Sequence, residues 1–145
     1  MIIITSPKSK EEFRKYYDLR FRVLRAPLGQ PKGTEKDDYE PISYHFMAID
    51  DSTGEIVGCV KFYEKETGIG QFSYMAVADK YQRKGIGRML MDAVETKARA
   101  IGCKKLGTMT RVTATRFYEK FGYHITGVTH DLFGITQLSW MEKDL

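Results

Sequence analysis

Between positions 82 and 88 the chain reads Gln82-Arg83-Lys84-Gly85-Ile86-Gly87-Arg88. These residue types suit a phosphate. The first N–H groups of a helix have no partner inside it and point outward at the positive end of its dipole. Gly85 and Gly87 carry no side chain that would hold a bulky anion away. Arg83, Lys84 and Arg88 add full charges, and a guanidinium can grip phosphate through two parallel hydrogen bonds. The alternative is a plain tight turn with solvated basic residues. Two other phosphate motifs are excluded. Position 90 is Leu, so the third glycine of G-x-G-x-x-G is missing, and no Gly-Lys-Ser/Thr follows.

A second group able to do chemistry lies in Ala114-Thr115-Arg116-Phe117-Tyr118-Glu119-Lys120-Phe121-Gly122-Tyr123. A phenol with a pKa of about 10 is protonated at neutral pH and can donate to a leaving group. Phe117 and Tyr118 could equally fill core space. The turn at 82–88 needs a strand before it and a helix after it. Phe72, Tyr74, Met75 and Val77 predict a strand over Gln71–Val77. Ile86, Met89, Leu90, Ala93, Val94, Ala98 and Ile101 recur at helical spacing, which predicts a helix over 85–101 stopped by Gly102.

Gln82-x-x-Gly85-x-Gly87, behind a strand ending Met75-Ala76-Val77, resembles the acetyl-coenzyme A (acetyl-CoA) signature of the GNAT N-acetyltransferases. Ala114–Tyr123 resembles the second motif of that superfamily, A-x-x-F-Y-E-K-x-G-F/Y. The resemblance implies that the turn's backbone amides hold the pyrophosphate of acetyl-CoA as cosubstrate. The cofactor contacts it implies are Met75, Ala76, Val77, Gln82, Arg83, Lys84, Gly85, Ile86, Gly87, Arg88 and Tyr118. Main-chain groups of Met75 and Val77 would meet the acetyl and pantetheine parts, and an N–H there would stabilise an oxyanion. Tyr118 would be the general acid for the departing thiolate. Many members carry asparagine three residues before the alanine of the second motif, where Arg111 stands here. Arginine cannot copy an amide's acceptor. Arg111 is counted with the cofactor contacts, as a phosphate ligand; an acceptor carboxylate and the surface are the alternatives.

The attacking amine must lose a proton, and Glu64 is the first candidate for the base by position, with Glu66, Tyr74 and His45 beside it. For His45 a satisfied place at the sheet edge is the simpler reading. Arg20-x-x-Val23, Asp37-Asp38, His45 and Phe133-Gly134-Ile135 are similar to a branch of small single-domain members, although Thr136-Gln137 replaces that branch's Pro-His.

In chain order, strands are expected at Ile2–Thr5, Tyr44–Ile49, Glu55–Tyr63, Gln71–Val77, Lys105–Met109, Tyr123–Val128 and Gln137–Met141, with a linker over His130–Ile135. Asp50–Gly54 and Glu64–Gly70 read as turns. Ser9 and Glu12 form a capping box for a helix to about Leu24, with Phe13, Tyr17, Phe21 and Leu24 on its apolar face. Thr113 is placed to cap a short helix over Ala114–Phe121. Ala26–Glu40 is a loop rich in Pro and Gly. Its Glu35, Asp37, Asp38 and Glu40 are either a solvated connector or a wall that attracts a cationic amine. A strand, a crossover helix and a strand imply parallel pairing of Gln71–Val77 with Lys105–Met109, or with a near neighbour, by a right-handed connection. The expected architecture is α/β, a mixed, mostly antiparallel sheet with helices on both faces. The resemblance adds that these two parallel strands splay to admit the cofactor.

Composition sets outer limits. The 145 residues suit a single domain, which the resemblance makes an acetyltransferase domain, and 42% hydrophobic with 29% charged residues is ordinary globular content. A net charge of +4 fits a polyanionic cofactor and is too small and dispersed to argue for nucleic acid. Cys59 and Cys103 lack CxxC or metal-ligand spacing, so a reduced cytoplasmic protein with no metal is expected. The Met1–Thr5 start lacks the leader of a signal peptide, and no apolar run spans a membrane. The reading is an N-acetyltransferase acting by direct attack in a ternary complex on a small-molecule or peptide amine; a CoA-binding regulatory module without catalysis is the alternative. A homodimer is left open.

Overall fold

The computed structural model describes residues 1–127 and 130–145. Among them the strands are β1 (Ile2–Thr5), β2 (Tyr44–Asp50), β3 (Glu55–Glu66), β4 (Ile69–Val77), β5 (Lys105–Arg111), β6 (His124–Ile125), β7 (His130–Leu132) and β8 (Thr136–Asp144). The helices are α1 (Lys10–Leu24), α2 (Ile86–Ala100) and α3 (Thr115–Glu119). The strands form one sheet in the order β1-β2-β3-β4-β5-β8-β6, with β7 paired to β8. Only β4 and β5 run parallel. This is the mixed, mostly antiparallel sheet that the sequence predicts.

Side-chain alternation divides the core into two layers. Ala48, Val57 and Val60 face α2 through Ile86, Leu90 and Val94. Met47, Ile56 and Cys59 face α1 through Tyr16 and Leu19. The capping box forms as expected: the Ser9 hydroxyl accepts from the Glu12 N–H at 3.0 Å, and the Glu12 carboxylate accepts from the Ser9 N–H at 3.2 Å. The inward face of α1 differs, because Tyr16, Leu19 and Arg20 are the buried residues and the expected Phe13, Tyr17, Phe21 and Leu24 are half-buried. A buried guanidinium turns the helix by about one position, and hydropathy cannot anticipate that.

Other boundaries also move. β3 reaches Glu66, so the expected turn over Glu64–Gly70 shrinks to Thr67 and Gly68. Thr113 does not cap α3; Ala114 holds the N-cap position without a side-chain bond. The strand expected at Tyr123–Val128 is confined to His124–Ile125, and Val128 lies outside the described residues. The expected linker over His130–Ile135 contains β7, which forms a hairpin with β8. Among the described residues no helix is long and apolar enough to cross a membrane.

The parallel pair is what makes room for a site. β4 and β5 share register only at Ile69–Lys105, Gly70–Leu106 and Gln71–Gly107. The last link is the Thr108 hydroxyl, which donates to the Phe72 carbonyl at 2.8 Å. Beyond it β5 continues on β8 as far as Arg111–Leu138, while β4 stays with β3. The closed end of this fork is tightly packed: a Cβ on Gly107 would lie 2.0 Å from Trp140 Cζ2. Gly107→Ala should therefore destabilise the fold by about 1–3 kcal/mol, measured as a lower urea midpoint. An unchanged midpoint would show that the indole can step aside.

Candidate active site

Two cavities occupy the fork, of about 600 and 380 Å³, and both are lined by Met75, Ala114 and Tyr118. The larger one runs along the turn before α2. Arg83 (φ 62°) and Gly85 (φ 80°) are both left-handed, and Gly85 is the N-cap of α2 with no side-chain cap. Left-handed residues in a turn let successive N–H groups converge as an anion-binding nest. Among the described residues the amides of 83–88 have no protein acceptor, and the first closing bond of the helix is Met89 N–H to Gly85 C=O at 3.1 Å.

Gln82, Arg83, Gly85, Ile86, Gly87 and Arg88 line this cleft. Lys84 does not; it is exposed, with its ammonium 5.4 Å from the Tyr81 ring. Gly87 has a packing duty that its spacing did not reveal, since a Cβ there would lie 2.7 Å from Phe117 Cζ. The inner wall is Met75, Ala76 and Val77. A bulge in β4 leaves Tyr74 and Met75 without register partners on β3 or β5, with Tyr74 at φ 55°. Bulges of this kind re-aim backbone groups away from the ladder.

Tyr118 closes the cleft. It is 7% exposed, its ring packs 5.4 Å from Phe72 and 5.0 Å from Phe117, and no hydrogen bond among the described residues involves its hydroxyl. Burial pushes its pKa well above the ordinary phenol value. The group stays protonated and ready to donate.

The smaller cavity holds Arg111, so this residue lies across Tyr118 from the phosphate-type turn. Its guanidinium donates to the Leu24 carbonyl at 2.9 Å. The base candidates are scattered. Glu64 lines neither cavity; it is exposed at the closed end of the fork and accepts from the Gly68 N–H at 3.1 Å. Glu66, also exposed, pairs with Ile69 there. His45 is engaged at both ring nitrogens, with the Tyr16 hydroxyl and the Glu40 carbonyl, each at 2.9 Å. Burial lowers its pKa, which fits a neutral structural ring. Tyr74 does line the smaller cavity, with its ring 4.4 Å from the Arg20 guanidinium.

The sequence reading missed a polar centre beneath this wall. Arg20 and Lys61 are fully buried and converge on Glu40, at 3.0 and 2.7 Å, while Lys61 also binds Asp37. Arg20 donates to the Tyr16 hydroxyl and the Glu35 carbonyl as well. One signal was available: Lys61 interrupts the apolar run Ile56–Tyr63. Of the four loop carboxylates offered above to a cationic amine, Glu40 and Asp37 are thus bound internally, and the Glu35 side chain accepts from the Gly33 N–H.

The sequence profile described as Acetyltransferase (GNAT) family matches residues 10–123. An amino-acid acetyltransferase of Ralstonia nicotianae is 32% identical over 81 residues, which are 55% of this chain and 18% of that protein. The chain therefore spans under a fifth of that relative's length. A GNAT family acetyltransferase from Elizabethkingia anophelis, solved with acetyl-CoA bound, superposes with a TM-score of 0.78 at 24% identity, covering 99% of this chain and 98% of that one. An aminoglycoside 6'-N-acetyltransferase complexed with coenzyme A gives 0.80 at 17% identity, covering 98% and 96%. At such identities the likeness concerns the fold.

Proposed function

The chain belongs to the acetyltransferase (GNAT) family, and we propose that it moves an acetyl group from acetyl-CoA to a primary amine by direct attack in a ternary complex. The supporting observation is a run of unpartnered amides, 83–88, opening into a cleft that ends at the free hydroxyl of Tyr118. The residues present fit the cofactor. The nest and the flanking Arg83 and Arg88 would hold a diphosphate, and Met75–Val77 would hold an extended pantetheine arm along the freed edge of β4. Acetyl-CoA supplies an activated acyl carbon on a thiol leaving group.

The chain's own groups then divide the work. The smaller cavity admits the amine to the region of Met75 and Tyr118 that both cavities share. As the new C–N bond forms and the C–S bond breaks, the main chain at the Met75 bulge stabilises the oxyanion. Tyr118 gives its proton to the departing sulfur. Glu64 lines neither cavity, and in this reading the amine's proton leaves by water. Residues 1–145 act as one catalytic domain in this reading. The setting is a reducing cytoplasm, consistent with Cys59 and Cys103 both being free and buried.

Acetyl-CoA at about 100 times its dissociation constant should raise the melting temperature by about 5–10 °C, and a panel of primary amines should release free CoA thiol. A shift without thiol release from any amine would favour the regulatory, non-catalytic reading. Absence of both would end the assignment.

A further inference from the structure

We propose that the smaller cavity selects an amine that carries its own carboxylate, held by Arg111 and Arg25. The proposal deepens the acetyl-transfer reading and rests on it. Arg25 and Arg111 come from elements far apart in sequence and converge on one acceptor: Arg25 Nη1 donates to the Leu24 carbonyl at 3.1 Å and Arg111 Nη2 to the same oxygen at 2.9 Å. Both line the cavity. Two guanidiniums sharing one neutral carbonyl repel each other. Among the described residues the arginines paired with carboxylates are Arg14, Arg20, Arg22 and Arg99, and neither of these two is among them. Asp37 also lines the cavity, but its carboxylate is engaged by Lys61 and by the Tyr39 N–H.

Half-buried like charges are costly unless an anion joins them. The strain is visible on Arg111, whose pKa is lowered first by burial and then by the Arg25 charge. Each guanidinium retains N–H donors beyond those already used. Ser73, on the same wall, has a buried hydroxyl without a partner among the described residues and can add a further bond. The rest of the lining includes Leu24, Met109, Leu132 and Leu138, which suits an aliphatic body. A polyamine or an aminoglycoside would bring more positive charge to two unneutralised arginines. An amine with a carboxylate would neutralise them while its nitrogen reaches the Met75–Tyr118 end.

The test compares acids with their decarboxylated partners: leucine against isoamylamine and γ-aminobutyrate against propylamine, with spermidine as the polycation. At least one acid should exceed its partner in kcat/KM by about 10-fold or more, with spermidine poorest. Arg111→Gln and Arg25→Gln should each shrink that ratio toward one. If the decarboxylated amines or spermidine react as well as the acids, the proposal is overturned while acetyl transfer stands. If no amine reacts, acetyl transfer has failed and calorimetry on the CoA-loaded protein decides the rest. N-acetyl-leucine binding about 10-fold tighter than N-isoamylacetamide, with the difference erased by Arg111→Gln, supports the carboxylate site. Equal or absent binding overturns it.

Discussion

Tyr118→Phe should lower kcat by about 10²- to 10⁴-fold and leave the affinity for acetyl-CoA nearly unchanged. The substitution removes one oxygen and keeps the ring that packs on Phe72 and Phe117. That oxygen makes no protein hydrogen bond among the described residues, so its loss breaks none. Any large fall in turnover is then chemical, because a thiolate would have to leave without a donor. The pH profile gives a second handle. Burial raises the Tyr118 pKa, so the wild-type loses its acid only above the ordinary phenol range near pH 10. The alkaline fall in kcat should therefore lie above that range. Steady-state kinetics with an accepted amine and calorimetry with acetyl-CoA make the comparison. Normal turnover with weakened cofactor binding would reduce Tyr118 to a wall of the cleft.

The sequence exposed the half of this site that depends on backbone. Glycine spacing, the strand before it and the amphipathic helix after it are local patterns, and all three lie where Gln71 to Ile101 predicts them. Even there, Gly87 has a role its motif did not disclose, since the space it leaves is filled by Phe117 from α3. The other half depends on tertiary placement. Arg25 and Arg111 are remote in sequence and meet only because α1 and β5 end on the same side of the fork. Glu64 looked close to the site because β3 was expected to stop at Tyr63; the strand in fact continues and carries Glu64 to the closed end. The face of α1 was misread for a similar reason. Periodicity counts apolar side chains, and here the helix is turned inward by a charged one, Arg20, whose partners include Glu40 in a loop and Tyr74 in β4.

That buried centre sets the second large expectation, on stability. Glu40→Gln should cost about 3–5 kcal/mol, because Gln keeps the volume but leaves Arg20 and Lys61, both fully buried, with only Asp37 as a counter-charge. Burial alone raises the Glu40 pKa, but Arg20 and then Lys61 outweigh it and hold the carboxyl at about 2, against 4.5 when free. A depressed folded pKa means the contribution is complete above the unfolded value and is lost as pH falls from about 4.5 toward 2. Urea midpoints of the wild-type should accordingly drop through this window, and the Gln variant should lack that component. Adding Lys61→Met to Glu40→Gln should recover part of the loss, since it removes one of the stranded charges. The smaller cavity feels the same change. Arg20 stacks on Tyr74, Asp37 bridges to Lys61, and both Tyr74 and Asp37 line that cavity. A Glu40→Gln protein with the wild-type's urea midpoint and acid profile would mean that Asp37 and the neutral acceptors alone suffice for two buried cations.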